Sequence, residues 1–167
     1  GWLLAKGFTN VLVEINNECD CPYEHEVLQP HRVHELITRV RATERNGRRL
    51  LFGTSYRGSV VPGDAVAAVS DFLLLHGNGV SEPTRINQMV QQVRAMPQYH
   101  NQPILFNEDD HFDFDKPQNN MLAAIGSYVG VDNVLIPTCT EDTADLSATT
   151  ATYADVWDDD VILLNVE

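Results

Sequence analysis

Short apolar runs alternate with longer amphipathic segments along residues 8–129 of the 167-residue chain. Four of the runs have the length and the apolar content of β-strands, and each is followed by a polar loop and then by a helical pattern. The four predicted strands cover residues 10–15, 49–53, 71–76 and 103–107. Regular alternation of strands and helices is typical of an α/β fold with parallel strands.

Proline and glycine mark several ends of the intervening helices. Pro30 is predicted to open the first helix, Ser81 to cap the third and Pro97 to stop the third. The predicted helices cover residues 30–45, 62–69, 82–96 and 117–129. Residues 1–7 read as the last turns of another helix closed by a glycine, so we expect the start of that element to be missing.

Two architectures accommodate these units, an open doubly wound sheet and a barrel. No glycine-rich phosphate-binding fingerprint follows any of the predicted strands. The reactive side chains instead gather just after the strands, at the end where barrel enzymes place their chemistry. We therefore predict an α/β fold that forms part of a (β/α)₈ TIM barrel, about strands four to seven with their helices, over residues 1–129. Such a half barrel has exposed sheet edges, and we expect it to be inactive as an isolated piece of a longer protein.

The formal net charge of −13 changes this picture mainly by exclusion. Binding to nucleic acid or to an anionic membrane relies on clustered Lys and Arg, so neither partner is predicted. All 11 Lys and Arg residues lie within residues 1–116, and residues 130–167 form an acidic C-terminal segment whose closing letters, DDDVILLNVE, favour a β-strand. No apolar run approaches about 18 residues, so no membrane span is predicted, and the compartment and the oligomeric state stay open.

Two glutamates, Glu18 and Glu108, follow predicted strands and are 90 positions apart. Side chains alternate along a strand, so Glu14 and Glu18 are predicted to share one face of the first strand. By the same alternation, Glu108 is predicted to share a face of the fourth strand with Ile104 and Phe106. Because parallel strands end at the same edge of a sheet, the two glutamates can converge on one ligand. Glycoside hydrolysis needs such a pair, one carboxyl as acid and the other as nucleophile or base.

Whole strand–loop segments resemble one protein group. NVLVEINNECD, RRLLFGTSY, DFLLLHGNGVSEPTRI and PILFNEDDHFDFDKPQNN are similar to uncharacterised bacterial barrel proteins related to the glycoside hydrolases of clan A, the retaining (β/α)₈ enzymes. The resemblance covers residues 1–129, whereas residues 130–167 do not match. It implies that the parent protein hydrolyses O-glycosidic bonds of a carbohydrate substrate by double displacement, without a cofactor.

The resemblance also assigns roles to individual residues. It implies that Glu18 is the acid/base, that Asn17 contacts the sugar beside the reacting centre and that Glu108 is the nucleophile. His76 stands where many relatives have a His or Tyr near the nucleophile. The predicted substrate-binding residues are Asn17, Tyr56, His76 and Asn107.

Two other interpretations stay open. The barrel segment can be non-catalytic, with its acids serving carbohydrate binding or only hydrogen bonding. A metal-dependent hydrolase would instead bring Asp109, His111 and His76 to within about 2.0 to 2.5 Å of a common point. Metal sites in barrels usually recruit several His residues from different strands, and His76 is the only other His at a predicted strand end. No metal is therefore predicted.

Overall fold

The computed structural model of the chain describes residues 1–8, 10–111 and 113–127, together with two short strands at 134–135 and 162–165. The helices are α1 (Trp2–Lys6), α2 (Val33–Arg41), α3 (Asp64–Val69), α4 (Pro83–Ala95) and α5 (Asn120–Gly126), with a 3-10 helix at Glu26–Leu28. The strands are β1 (Val11–Glu14), β2 (Leu51–Gly53), β3 (Leu73–His76), β4 (Ile104–Glu108), β5 (Val134–Leu135) and β6 (Ile162–Asn165). The mixture of helices and parallel strands confirms the α/β class.

All four predicted strands form, but the helix ends differ from the predicted ones. α2 stops at Arg41, short of the predicted residue 45, and Asn46 and Gly47 adopt positive φ angles of 54° and 73° in the turn that follows. The N-cap of α4 is Glu82 and not Ser81. α5 starts late because Asn119 caps it, its side chain accepting a hydrogen bond from the backbone N–H of Leu122 at 2.8 Å.

The first four strands pair with neighbours in sequence. β1 pairs in parallel with β2, and β3 pairs in parallel with β4. A backbone hydrogen bond from Asp71 N to Phe52 O, 2.8 Å long, joins the start of β3 to β2. The described strands form two three-stranded sheets and no closed barrel, so the (β/α)₈ part of the fold stays a prediction.

The described sheets remain open, but their outer edges are not those of the predicted half barrel. The acidic C-terminal segment supplies a strand to each outer edge, since β6 pairs with β1 and β5 pairs with β4, both in parallel. Backbone N–H and C=O groups of β1 and β4 that an isolated half barrel would leave open are therefore paired. The rest of residues 128–167 lies outside the described part of the chain, as does the end of the predicted helix 117–129.

The two faces of the strands enter different apolar clusters. One face packs against the helices through residues such as Val13 and Leu75, and each fully buried aliphatic side chain contributes about 1.5–3 kcal/mol to stability. The other face carries a small separate cluster of Leu12, Phe72, Leu74 and Leu105. Glu14 and His76 follow two members of that cluster by two positions, so both lie on the face that points away from the helices.

The predicted face of Glu108 is wrong. Leu75 pairs with Phe106, but the next residue, His76, pairs with Glu108. Asn107 is therefore an extra residue in β4, which is a β-bulge. The bulge moves Glu108 from the face of Phe106 to the face of His76, and strict alternation along the sequence cannot anticipate that shift.

Candidate active site

Three chain segments bring Glu18, His76 and Glu108 together at the carboxyl ends of the strands. Nδ1 of His76 lies 3.2 Å from Oε1 of Glu18 and 3.4 Å from Oε2 of Glu108. The Nδ1 atom and one oxygen of each carboxylate all lie within 4.8 Å of one another. The glutamate side chains are 21% and 18% exposed whereas His76 is 0% exposed, so the carboxylates can meet a ligand and the imidazole lies behind them.

The loop after β3 holds Glu108. Asn78 Nδ2 donates to Oε2 of Glu108 at 2.9 Å, the same oxygen that faces His76. Residue 58 must be glycine for this contact, because a Cβ atom there would lie 1.9 Å from the backbone oxygen of Asn78. The loop after β3 thus orients the carboxyl group of Glu108 through one direct hydrogen bond.

Glu18 sits in an unusual backbone conformation. Its φ is 47°, in the left-handed region, which typically costs a non-glycine residue about 1–3 kcal/mol. Its backbone N–H donates to Oγ of Ser55 at 2.7 Å, which fixes this conformation. Its carboxylate reaches in two directions, since Oε1 faces His76 and Oε2 accepts a contact from Sγ of Cys21 at 3.4 Å.

His76 does not lie where a substrate contact would. Its side chain is fully buried, so it meets the two carboxylates and not an incoming sugar. Nε2 of its ring is buried without a hydrogen-bond partner among the described residues. A hydrogen on Nδ1 would let the ring donate to Oε1 of Glu18, while Oε2 of Glu108 lies 3.4 Å from the same nitrogen. The structure therefore gives His76 the position of a bridge between Glu18 and Glu108.

The other predicted substrate contacts separate into two groups. Asn17 stays partly exposed beside Glu18, and its Oδ1 accepts from Oγ of Ser55 at 3.3 Å. Tyr56 lies in the core among the side chains under α2 and α3, and burial raises the pKa of its hydroxyl. Asn107 is buried at the bulge, with no hydrogen-bond partner for its Oδ1 among the described residues. Only Asn17 of these three is placed where a ligand of Glu18 would reach it.

Glu14 is a third carboxyl group on the same face and is 1% exposed. Its Oε1 accepts a hydrogen bond from the backbone N–H of Ser55 at 3.1 Å. Burial raises the pKa of Glu14 to about 7, and the neighbouring charges of Glu108 and Glu18 act in the same direction. Glu14 therefore shares the electrostatic environment of the two exposed glutamates.

A second cluster of possible metal ligands lies next to the first. One ligand atom each from Asp109, Asp110 and His111 lie within 4.8 Å of one another. These groups are already engaged, since Asp109 accepts from Asn120 at 3.0 Å and Asp110 faces Nδ1 of His111 at 2.6 Å. His76 groups with the glutamates and not with this cluster, so the metal arrangement considered from the sequence is not the one observed.

The chain matches no model of a known protein family, no curated protein and no solved structure. Among the described residues, no helix is both long enough and apolar enough to cross a membrane.

Three residues of the site carry contacts that sequence reasoning did not assign to them. Asn78 holds Glu108, Ser55 holds the backbone of Glu18, and Glu14 anchors Ser55. All three are polar residues at or just after the carboxyl end of a strand, which is the signal available in the sequence. Their partners lie 30 to 41 positions away, so the sequence indicates which residues are candidates but not which of them contact each other.

Proposed function

We propose that Glu18 and Glu108 are the catalytic pair of a glycoside hydrolase that works by a retaining double displacement. The observation that carries the proposal is that one oxygen of each carboxylate lies within 4.8 Å of the other, with Nδ1 of His76 near both. This oxygen distance supports a shared site; a retaining course further requires carboxyl groups about 5–5.5 Å apart, whereas inverting enzymes leave about 6.5–9.5 Å for a water molecule. The (β/α)₈ resemblance over residues 1–129 points to the same reaction.

The contacts of the two glutamates favour distinct roles. Glu108, whose Oε2 accepts a hydrogen bond from Asn78 and faces Nδ1 of His76, attacks the anomeric carbon as a carboxylate. Glu18 gives its proton to the departing glycosidic oxygen as that bond breaks. In the second step Glu18 takes a proton from water, the water oxygen bonds to the anomeric carbon, and the bond to Glu108 breaks.

Metal-dependent hydrolysis is the second candidate, because Glu18, His76 and Glu108 present three ligand atoms in one place. A histidine that binds a metal almost always donates its other ring N–H to an acceptor, which orients the ring. Nε2 of His76 has no such acceptor in the described part of the chain. That missing partner favours the glycosidase.

The test is covalent trapping with activated 2-deoxy-2-fluoro glycosides of gluco, galacto, manno and xylo configuration, followed by peptide mass spectrometry. Because an isolated half barrel is expected to be inactive, trapping is attempted on this chain and on any longer form of the protein. We expect one sugar adduct on the peptide that contains Glu108 and none in Glu108→Gln. An adduct elsewhere, or activity that depends on added metal, would contradict the assignment.

The acid/base role of Glu18 has its own readout. In Glu18→Gln, the rate of hydrolysis of an alkyl glycoside or a disaccharide should fall by about 10²–10⁴-fold, the factor that general acid catalysis usually contributes. Formation of the intermediate from a 2,4-dinitrophenyl glycoside needs no proton and should fall far less. Glu35→Gln, on an exposed ion pair with Arg32, is the matched control. Unchanged sugar binding in both site variants, with no turnover in the unaltered protein, would favour the non-catalytic interpretation.

A further inference from the structure

Ser55 lies two residues after the end of β2. All of its polar groups form hydrogen bonds with one short segment of the chain. Its N–H donates to Oε1 of Glu14 at 3.1 Å, and its carbonyl accepts from the N–H of Cys19 at 2.9 Å. Its Oγ accepts from the N–H of Glu18 at 2.7 Å and lies 3.3 Å from Oδ1 of Asn17. Ser55 is fully buried, so each of these bonds is shielded from water.

The partners of Ser55 decide what this arrangement does. They span residues 14–19, the end of β1 and the turn that presents Glu18. Two consecutive backbone N–H groups, those of Glu18 and Cys19, both bind Ser55 and thereby hold the left-handed conformation of Glu18. If Ser55 did not accept these two bonds, no described contact of the Glu18 N–H would keep this residue in the left-handed conformation.

Glu14 fixes Ser55 in turn. It is the last residue of β1, its side chain is 1% exposed, and it provides the acceptor for the Ser55 N–H. A buried backbone N–H that loses its acceptor is costly, so this contact constrains where the Ser55 backbone can lie. The charges of Glu18 and Glu108 act on Glu14, which places its carboxyl close to the pair it would support.

We propose that Glu14 is a positioning residue that acts through Ser55 to hold the backbone, and so the carboxylate, of Glu18 in place. The proposal rests on the function proposed above for Glu18, but the contacts themselves do not depend on it. Glu14 does not touch the ligand, since its side chain is buried behind the two exposed glutamates. Its task is to supply an acceptor oxygen.

Amide hydrogen exchange of the ligand-free chain tests the proposal without any assay of activity. Glu14→Met keeps the size of the side chain and removes the acceptor, so exchange of the Ser55 and Glu18 amides should become about tenfold faster. Glu14→Gln keeps an acceptor oxygen and should restore slow exchange at both amides. Gln102→Leu, which removes a buried amide bonded to Ala67 O at 2.7 Å, is the control for general destabilisation.

Ser55→Ala separates the two steps of the chain of contacts. It removes Oγ but keeps the N–H that binds Glu14, so only the Glu18 amide should exchange faster. This variant decides the matter if Glu14→Met does not fold. The proposal is overturned if Glu18 exchange in Glu14→Met or Ser55→Ala is no faster than in Gln102→Leu, or if Glu14→Gln behaves like Glu14→Met.

In an active form of the protein, the same variants give a second readout. Glu14→Met should lower kcat with little change in KM, because a displaced Glu18 affects the transfer of a proton more than the binding of sugar. Glu14→Gln should recover most of kcat. Loss of the proposed glycosidase activity in all forms would leave the exchange result standing, so the two proposals fail separately.

Discussion

The acids at the two ends of the parallel strands have different surroundings. At the amino end, Asp71 just before β3 is 6% exposed and bonds to Arg41 at 2.8 Å and to Arg49 at 2.7 Å. It also accepts the backbone N–H of Phe52 at 3.0 Å. Its charge is therefore fully compensated, and this end of the sheet is built for stability.

At the carboxyl end, three acids lie on one face of the strands. Glu18 and Glu108 both face the imidazole of His76, at 3.2 Å and 3.4 Å, and their charges act on the buried Glu14. Like charges in a partly buried site raise the free energy of the folded state. Under the proposed function, this group of acids would stabilise the positive charge that develops in an oxocarbenium-like transition state.

Substitution of Asp71 should have the largest effect on stability. Asp71→Asn leaves two arginines without their partner, and breaking a buried ion pair typically costs 3–5 kcal/mol; because both arginines are about one-third exposed, we expect a loss of about 3 kcal/mol. Urea denaturation measures it. Glu35→Gln removes an acid from an exposed pair and should leave the denaturation midpoint unchanged. Equal midpoints for the two variants would contradict the assignment of stability to the amino end.

Substitution of Glu14 should instead increase stability, by an amount that depends on pH. Its pKa is about 7 in the folded chain against 4.5 for an unperturbed glutamate, so the folded state binds more protons between these pH values. The stability that this proton provides is complete below pH 4.5 and is lost as pH rises to about 7, on the order of 3 kcal/mol. Glu14→Gln should remove that step and be more stable than the unaltered chain at pH 8. Thermal denaturation across pH 4–8 decides, and an unchanged slope in Glu14→Gln would refute the assignment.

Gly58 tests how closely the loops pack at the carboxyl end of the strands. Gly58→Ala places a Cβ atom 1.9 Å from the backbone oxygen of Asn78, and overpacking of this kind costs about 2 kcal/mol. The loop that carries Asn78 must shift, so its contact with Glu108 should also be lost. Gly126→Ala, where a Cβ atom meets nothing within 4 Å, is the control and should be neutral or slightly stabilising. Calorimetry that finds no difference between the variants would argue against this close approach.

The smallest effect concerns the backbone of Glu18. Asn tolerates the left-handed region better than Glu, and Glu18→Asn also removes a charge from the cluster, so we expect a gain of about 1 kcal/mol in stability. Glu18→Gln removes only the charge and separates the two contributions. Chemical denaturation of both variants checks this, and a loss of stability in both would mean that Glu18 stabilises the fold.

The order of elements was predictable from the sequence because buried parallel strands and amphipathic helices have clear patterns. Leu73 to Leu75 form an uninterrupted buried run, and Pro83 with buried Ile86 and Val90 marks α4. The strands that pair with the outer edges of β1 and β4 were harder to place. They come from a segment with no matching βα pattern, and pairing between distant stretches leaves little local trace.

The site was predictable in its chemistry and less so in its geometry. Glu18 and Glu108 are recognisable as acids at strand ends, but the face of Glu108 depends on the bulge at Asn107. Tyr56 looked like a loop residue and is part of the core, because its ring packs against Cys19 and Val66. His76 looked like a sugar contact and is buried. Burial at strand ends depends on loops packed above them, which alternation does not report.

The separation of the carboxyl carbons of Glu18 and Glu108 in crystals tests the central claim most directly. The account predicts about 5–5.5 Å, with both groups open to one cleft and Nδ1 of His76 between them. A separation beyond about 6.5 Å, or carboxylates that face different sides of the sheet, would contradict the retaining mechanism and the pairing on which it depends.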